Sequence, residues 1–501
     1  MNNKILGINA TSYLLIAIII IASFLRLYNL MPLNNILFPP GLYPDEAMNG
    51  NNAQEAIDTG NFKFFYPENF GREGLFINIQ SLSIAALGNH PWALRFPSAI
   101  FGILTVLGMY FLVKELFGDR HLALLTAFLL ATSFWHINFS RIGFRAIMAP
   151  FFLTWSIYFL IKSFNVKYFA IFAAIGGLLY GLGFHSYIAY RATPLLILII
   201  LAIIYWQNRN VFSKKKMWFI FSIFTAASII TILPLGIYFY ENPQDFLGRT
   251  AGISIFSSQT PFKDLGLNVL KTAGMFNIFG DFNWRHNISG RPELFWPVGI
   301  FFLVGLFFSI KKIIIDKKWA SQESIILSWF LISLLPVVVS NEGLPHALRS
   351  ILAVPAVFII AAIGGMKIYE ILKNLVHERS RGATIIKIAA YLFLSLFIFQ
   401  AYYSYFITWG ENPNVKNSFA YNDYIIAQQF NNIPKETPKY IIVSNAENII
   451  ERDNPISLQS ILFLTDTFTN EKRAAKNFHY LTTEQAKSEE IPSDSFVISL
   501  Y

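Results

Sequence analysis

The chain has 501 residues, of which 54% are hydrophobic, 17% aromatic and only 14% charged, and its mean hydropathy is +0.47. This balance lies outside that of soluble domains and predicts a polytopic membrane protein embedded in a lipid bilayer. The net charge of +9 comes from basic residues clustered between apolar runs, where they act as orientation signals, so we expect no nucleic-acid partner. The sequence contains no cysteine, which excludes disulfides and thiolate metal sites and leaves the redox compartment open.

The apolar runs predict an all-α membrane domain in residues 1–407, since a spanning helix needs about 20 mostly apolar residues. No A-x-A-like cleavage site follows the N-terminal run, so we expect it to stay as the first span. The segment LFINIQSLSIAALG at 75–88 is shorter and carries Asn78 and Gln80, which predicts an external interfacial helix. About eleven spans are expected, at roughly 11–30, 96–116, 121–139, 146–163, 168–186, 191–206, 217–239, 294–311, 323–340, 350–370 and 385–407.

Clusters of lysine and arginine set the expected orientation of these spans. With the N-terminus in the cytoplasm, basic clusters such as the lysines at 214–216 fall in cytoplasmic loops, as the positive-inside rule requires. The external face then holds the loops 31–95 and 240–293 and the tail 408–501. This tail alternates a helical pattern, YNDYIIAQQFNNI, with strand-like runs, KYIIVS and SFVISLY, and predicts a small extracytoplasmic α/β domain.

Two adjacent carboxylates, Asp45 and Glu46, stand in the Pro/Gly-rich stretch LFPPGLYPDEAMNGNNAQEA of the first external loop. One interpretation is structural, with Asp45 as the N-cap of a helix that runs through EAMNGNNAQEAIDTG. The other is catalytic. The two are compatible, because a helix that starts at this point would hold a reactive carboxylate at a fixed height above the membrane.

Arginine is conspicuous on the external face, although external loops are normally poor in basic residues. It occurs together with histidine in four segments, FWHINFSRIGFRAIMAP, GFHSYIAYRATP, FGDFNWRHNISGRPE and GLPHALRSILAVP. Any one of these residues could simply snorkel to headgroups or bond a backbone carbonyl. As a group they predict a site for an anionic substrate, because arginine binds phosphate oxygens bidentately. The candidate phosphate-binding residues are Arg141, Arg145, Arg191, His346 and Arg349, and candidates for the acceptor side or its loops are Arg72, Glu73, Arg285 and His286.

A divalent-cation site is the alternative for Glu73 and for Asp281 with His286. No compact H-x-x-x-H or carboxylate-triad spacing supports that alternative, so the need for a metal ion stays open. The sequence has no P-loop and no G-x-G-x-x-G after a strand, which argues against ATP-driven pumping.

The ordered motifs YPDEA, LGNHPWALRFPSAIFGILTVLGMYFLVKELFG and NFSRIGFRAIMAPFFL resemble the GT-C class of integral membrane glycosyltransferases. The similarity is to the protein O-mannosyltransferase and aminoarabinose transferase group, the dolichyl-phosphate-mannose-protein mannosyltransferase-like family of bacteria, and is best up to about residue 200. FGDFNWRHN and PHALRSILAVPA look like later motifs of bacterial members. This resemblance implies a GT-C-like fold in a bacterial plasma membrane, a polyprenyl-phosphate-linked sugar donor and an inverting transfer. It also implies a catalytic base in the first external loop, which by position is Asp45.

The hypothesis is therefore an enzyme that moves a sugar from a polyprenyl-phosphate carrier to an extracytoplasmic acceptor hydroxyl on a protein, lipid or glycan. Asp45 would take the proton, and Glu46 would orient the acceptor or act as the base itself. Two alternatives belong to other classes. A lipid-linked glycan flippase or transporter should carry ionisable residues near the middle of its spans and inverted repeats, and a non-catalytic cell-envelope assembly protein would use the tail as its interaction module.

Overall fold

The computed structural model describes residues 10–32, 37–252, 254–341, 343–376, 381–444, 450–451 and 454–500. The first residues of the chain, and the last residue of the predicted strand SFVISLY, lie outside this described part. Most described residues are helical. In chain order the α-helices are α1 (Ala10–Leu27), α2 (Pro44–Thr59), α3 (Leu75–Leu87), α4 (Pro91–Phe117), α5 (Arg120–Ala131), α6 (Phe134–Phe139), α7 (Met148–Phe164), α8 (Phe169–Gly183), α9 (Thr193–Asn208), α10 (Lys214–Glu241), α11 (Pro243–Gly252), α12 (Pro261–Gly274), α13 (Trp296–Ile314), α14 (Gln322–Val338), α15 (Val354–Asn374), α16 (Arg381–Tyr402), α17 (Pro413–Ser418), α18 (Tyr421–Asn432), α19 (Gln459–Thr465), α20 (Asn470–Ala475) and α21 (Gln485–Ser488).

The strands are short and lie in the predicted external loop and in the tail. They are β1 (Phe65–Tyr66), β2 (Arg72–Glu73), β3 (Lys439–Val443), β4 (Ile450–Glu451), β5 (Asn454–Pro455), β6 (Phe478–Thr482) and β7 (Phe496–Leu500). β1 and β2 form an antiparallel hairpin, as do β4 and β5. β3 is the centre of a parallel sheet with the order β6-β3-β7, in which Lys439 pairs with Phe478 on one side and Phe496 on the other.

Every predicted span coincides with helix in the structure, which confirms an integral membrane protein. In the described part of the chain, seven helical segments are long and apolar enough to cross a membrane: Pro91–Phe117, Arg145–Phe164, Ile188–Asn208, Lys214–Glu241, Trp296–Ile314, Ile351–Asn374 and Thr384–Trp409. The other four predicted spans coincide with shorter apolar helices, and the number eleven stays a prediction. The predicted span 121–139 is two helices, because Ser133 begins α6 with its hydroxyl accepting the His136 N–H. The predicted interfacial helix at 75–88 is α3.

The chain divides into two compact units. The first comprises Met1–Tyr28 and Ser98–Trp409 and contains the apolar helices. Within it, glycines allow helices to approach closely: a Cβ at Gly305 of α13 would overlap the carbonyl of Ile360 in α15, and one at Gly364 would overlap the carbonyl of Phe301. Such contacts between small residues are typical of helices that pack within a membrane.

The second compact unit comprises Asn29–Pro97 and Gly410–Tyr501, so it joins the predicted external loop to the predicted tail. The division at residue 407 had assigned these two segments to different domains. The physical reason for the difference is a shared core, in which Phe463 of α19 is fully buried among Leu42, Ala47 and Leu94. Gly50 of α2 leaves the space that the Phe463 ring occupies.

Candidate active site

Helix α2 presents Asp45 in its first turn. The helix begins at Pro44, whose fixed φ suits the first helical position, so Asp45 lies inside the helix and is not the N-cap. Its side chain is half-buried, and Oδ1 accepts a hydrogen bond of 2.9 Å from Nδ2 of Asn69. A carboxylate near a helix N-terminus is favoured by the helix dipole. Asp45 is therefore a partly accessible carboxylate in a fixed position.

Glu46 has a different environment, although it is the next residue. It is fully buried, and its two oxygens accept hydrogen bonds of 2.9 and 3.0 Å from the guanidinium of Arg95, which is also fully buried. Arg95 further donates to the carbonyls of Pro39 (2.7 Å) and Gly41 (2.9 Å). The pair ties the segment before α2 to the helix. Arg95 was not among the predicted site residues, although an arginine in an external loop is the signal that drew attention to the others.

One face of α2 is polar because Asp45, Asn49 and Asn52 follow at helical spacing. Arg72 of β2 bonds two of these side chains, donating from Nη1 to Oδ1 of Asn49 at 2.6 Å and from Nη2 to Oδ1 of Asn52 at 2.8 Å. The predicted acceptor-side residue Arg72 thus fastens the β1–β2 hairpin to α2. Its neighbour Glu73 is buried in β2.

The first compact unit contains a second group of predicted residues. Nδ1 of His286 lies 2.8 Å from Oδ2 of Asp281, and Nδ1 of His346 lies 3.8 Å from the same oxygen. The backbone N–H of Ala347 donates to this oxygen at 2.8 Å. The two imidazole rings are 5.0 Å apart between centroids. Residues distant in sequence, predicted separately, therefore meet around one carboxylate.

Electrostatics fix the protonation of this group near neutral pH. Burial by itself raises the pKa of Asp281, but the hydrogen bond from His286 and the electrostatic interaction with that residue bring the pKa below its usual value. Burial, and then the charge of His286, lower the pKa of His346 to about 3. Burial also raises the pKa of Glu293 well above its usual value, although Oε1 accepts the Asp281 N–H. Asp281 is therefore ionised, while His346 and Glu293 are neutral.

Asp281, His286 and His346 could hold a metal ion, because one ligand atom from each lies within 4.8 Å of the others. Two imidazoles and a carboxylate form a ligand set that suits Zn²⁺. Bonds near 2.0 Å in a tetrahedral site place the ligand atoms about 3.3 Å apart, between the observed 2.8 and 3.8 Å. Small side-chain movements would therefore let these three residues bind a zinc ion. Glu73, the other predicted metal candidate, belongs to the other compact unit.

The predicted phosphate-binding arginines have unequal access. Arg141 is fully buried, donates to the carbonyl of Leu25 at 3.3 Å and lies over the ring of Phe406 at 4.9 Å. Arg145 lies over the Tyr187 ring at 5.8 Å. These contacts of Arg141 lie within the first compact unit.

The remaining residues of the predicted phosphate-binding set also differ in their contacts. Arg191 donates to the carbonyl of Phe246 at 2.8 Å and covers the ring of that residue at 4.4 Å. Arg349 follows His346 by three residues, its N–H donates to Nδ1 of His346 at 3.4 Å, and its side chain bonds Ser340. The charges of Arg349 and Arg285 both act on His346. Of the predicted phosphate-binding set, His346 and Arg349 thus belong to the Asp281 group, with Arg285 beside them.

Asn69 is a second contact of the carboxylate pair, besides Arg95, that sequence reasoning missed. It contacts Asp45 from 24 positions away, across a hairpin of two-residue strands. Strands this short carry no periodic signal, and no motif marks the residue, so only the folded hairpin reveals the contact.

Comparisons with known proteins agree with this architecture. Residues 75–235, less than half of the chain, match the family model described as dolichyl-phosphate-mannose-protein mannosyltransferase. No curated relative matches the sequence. The structure is similar to the archaeal oligosaccharyltransferase AglB from Archaeoglobus fulgidus, solved with an inhibitory peptide and a dolichol-phosphate (TM-score 0.55, 15% identity), and the match covers 91% of this chain and 63% of that one. It is also similar to ArnT from Cupriavidus metallidurans bound to undecaprenyl phosphate (TM-score 0.53, 12% identity), covering 96% of this chain and 91% of that one.

These matches show the fold, which is that of the GT-C class of membrane glycosyltransferases, and they confirm the resemblance expected from the sequence. The chain spans 63% of the length of the archaeal protein. Within the class, the family model indicates similarity to the mannosyltransferase-like members.

Proposed function

We propose that this protein is an inverting glycosyltransferase that moves a sugar from a polyprenyl-phosphate-linked donor to a hydroxyl group of an extracytoplasmic acceptor. The observation that carries the proposal is Asp45, a half-buried carboxylate in the first turn of α2 that Asn69 holds in place. The GT-C fold and the lipid phosphates named for its structural relatives support it.

The proposed step has one base and one leaving group. The acceptor oxygen attacks the anomeric carbon from the face opposite the phosphate, its proton passes to Asp45, and the bond from carbon to phosphate oxygen breaks. Polyprenyl phosphate leaves as an anion, whose developing charge needs cationic partners. The candidates for that task remain the phosphate-binding residues predicted from the sequence.

Glu46 is assigned a positioning role in this proposal. Its carboxylate already accepts two hydrogen bonds from Arg95 and is fully buried, whereas Asp45 is partly accessible. The proposal also retains the predicted topology of eleven spans in a bacterial plasma membrane, with a cytoplasmic N-terminus and the loop 31–95 and the tail outside. The distribution of lysine and arginine supports that orientation.

The test compares Asp45→Asn with the unchanged chain, both purified in full length. The donor probe is a lipid extract of host cells lacking this chain, labelled with ¹⁴C in its polyprenyl-phosphate sugars, and the acceptor probe is the envelope fraction of the same cells. A positioned base contributes about 10² to 10⁴ in rate, so we expect Asp45→Asn to lose at least about 100-fold in the rate at which labelled sugar is transferred to the envelope fraction. Its melting temperature should not change.

The matched control is Asp58→Asn, at the exposed end of the same helix, where the carboxylate pairs with Lys472. Exposed ion pairs contribute about 0 to 1 kcal/mol, so this variant should transfer label at the normal rate. Normal turnover in Asp45→Asn would overturn the assignment of the base. Movement of the labelled lipid across a bilayer without cleavage of the sugar would indicate a flippase.

A further inference from the structure

A left-handed turn closes the β1–β2 hairpin beside Asp45. Three consecutive residues have positive φ: Asn69 (52°), Phe70 (61°) and Gly71 (83°). Asparagine and glycine tolerate this region, whereas other L-residues adopt it only at an energetic cost. A bulky residue such as Phe70 is a genuine outlier there. The turn therefore contains local strain at the one residue whose side chain does not suit the backbone.

The surrounding structure determines this conformation firmly. The N–H of Gly71 donates to the carbonyl of Glu68 at 3.2 Å, and a Cβ at Gly71 would lie 2.6 Å from the Phe65 ring. The next residue, Arg72, is buried and bonds Asn49 and Asn52 of α2. Strain that is held by such contacts is concentrated at functional sites.

The side chain of Asn69 reaches the proposed base. It is buried, and its Nδ2 donates to Oδ1 of Asp45 at 2.9 Å. A donor at one oxygen fixes the orientation of a carboxylate that is to receive a proton. Asn69 has this effect without itself being able to accept a proton from the acceptor.

The side chain of Phe70 is 65% exposed. Burial therefore returns little of the energy that its backbone conformation costs, and glycine or asparagine would form the same turn at lower cost. An exposed aromatic ring at a strained position, next to a residue that touches the proposed base, has the features of a ligand contact.

We infer that the turn Asn69–Gly71 is part of the acceptor site, in which Asn69 is a positioning residue for Asp45 and Phe70 contacts the acceptor. The inference rests on the proposed function, because it takes Asp45 as the group that receives the acceptor proton. The acceptor hydroxyl must then lie against the carboxylate that Asn69 holds, one residue from Phe70. The ring fits an acceptor with an apolar face beside its hydroxyl, such as the face of a sugar ring.

The role of Asn69 is tested with Asn69→Gly, which suits the positive φ and removes only the side chain. With the lipid extract and envelope fraction described above, kcat should fall about 10- to 100-fold, because misplacing a catalytic group by about 1 Å costs up to about 100-fold. The apparent KM for the envelope fraction should change less than about twofold. Asn477→Gly is the matched control, an asparagine at φ 54° in the tail, and should behave as the unchanged chain.

A second variant separates positioning from folding. In Asn69→Asp the shape is retained, but the introduced carboxyl group can donate to Asp45 only when it is protonated. Activity of this variant should be lost at neutral pH and partly restored as the pH falls. Asn69→Gly has no such group and should show no recovery.

The role of Phe70 is tested with Phe70→Asn, which keeps a residue that tolerates the left-handed region. Aromatic contacts are worth about 0.5–1.5 kcal/mol, so the apparent KM for the envelope fraction should rise about 2- to 10-fold with kcat nearly unchanged. Phe62→Asn is the control, since Phe62 is another exposed aromatic of the same loop, without a positive φ.

The outcomes distinguish this inference from the proposed function. Suppose that Asp45→Asn loses activity while Asn69→Gly and Phe70→Asn show normal kinetics. This result would overturn the assignment of the turn Asn69–Gly71 to the acceptor site, but it would support Asp45 as the base. A rise in the KM for the lipid extract in Phe70→Asn, with no change for the envelope fraction, would overturn the acceptor contact. Full activity in Asp45→Asn would overturn the proposed function itself.

Discussion

At the scale of single residues, the adjacent carboxylates Asp45 and Glu46 have opposite surroundings. Helical geometry turns neighbouring side chains about 100° apart, which places Glu46 against buried Arg95 and Asp45 toward the hairpin. Two carboxylates that are neighbours in the sequence therefore have different roles in the structure. The difference leads to a stability prediction for one residue and an activity prediction for the other.

Glu46→Gln should destabilise the protein while Asp45 remains intact. Breaking a buried ion pair by removing one partner costs about 3–5 kcal/mol, because the other charge is left uncompensated. We expect a clear fall in melting temperature in detergent. Glu370→Gln, which removes half of an exposed pair with Lys367, should leave the melting temperature unchanged. Normal melting of Glu46→Gln together with loss of turnover would instead make Glu46 the base.

His346 predicts a pH dependence of stability. Its pKa is about 3 in the folded protein and 6.5 in its ordinary state, so between these values the unfolded chain binds a proton that the folded chain does not. Stability therefore rises with pH across this window and falls as the pH drops from 7 toward 4. His346→Asn should show a smaller fall in melting temperature between pH 7 and pH 5. Exposed His121→Asn is the control, and an equal effect of both variants would contradict the prediction.

Sequence motifs predicted several of the residues that cluster in the fold, but not the residues that contact them from other elements. His286 and His346 were predicted because they share external segments with unexpected arginines, and Asp281 was predicted as a possible metal ligand with His286; the three lie together in the fold. The fully buried position of Arg141 was not predictable, because a charge at the end of a span looks the same whether it faces lipid headgroups or aromatic rings. Arg95 and Asn69 contact Glu46 and Asp45 from distant positions in the sequence, and no periodic pattern predicts such contacts.

At the scale of elements, α19 supports α2. Phe463 is fully buried in the core that contains Leu42, Ala47 and Leu94, and Nδ2 of Asn51 bonds both the carbonyl and Oε1 of Gln459. The helix that carries Asp45 is therefore packed on one side by the tail and bonded on another by the hairpin. Helix-start signals at Asp45 predicted α2, but no pattern predicted α19 or the face of α2 that it contacts.

Phe463→Ala should reduce both stability and turnover. Removing a buried phenylalanine side chain costs about 3–5 kcal/mol, since the cavity is only partly filled by relaxation. Protection of the α2 amides in hydrogen exchange and the melting temperature report the loss. Phe64→Ala, at an exposed position of the same unit, is the control. Unchanged protection of α2 in Phe463→Ala would contradict a supporting role for α19.

At the scale of the whole molecule, the apolar helices could be predicted from local composition, whereas the second compact unit could not. Long apolar runs must be helical in lipid, so the composition was enough to predict a membrane protein. Each predicted span also coincides with helix in the structure. The second unit is assembled from two distant segments. A division drawn along the chain at residue 407 could not anticipate this, because long-range packing leaves no local signal.

Ending the chain after Trp409 should abolish transfer activity although the apolar helices remain. The segment 29–97 would lose the side of its core that Phe463 fills, and its apolar residues would become exposed. Limited proteolysis should then cleave between residues 29 and 97, while the helical fragments persist. Retained transfer by the shortened chain would contradict the shared core.

The discontinuity of the second unit has a consequence for biosynthesis. Asn89 is bonded to the carbonyl of Phe463, a residue 374 positions later, so the ribosome completes the apolar helices before it makes the partner of the first loop. Domains form during synthesis only when their segments have emerged. The helix that carries Asp45 therefore acquires its full packing last, and a nascent chain that has already entered the bilayer stays inactive until its tail has been translated.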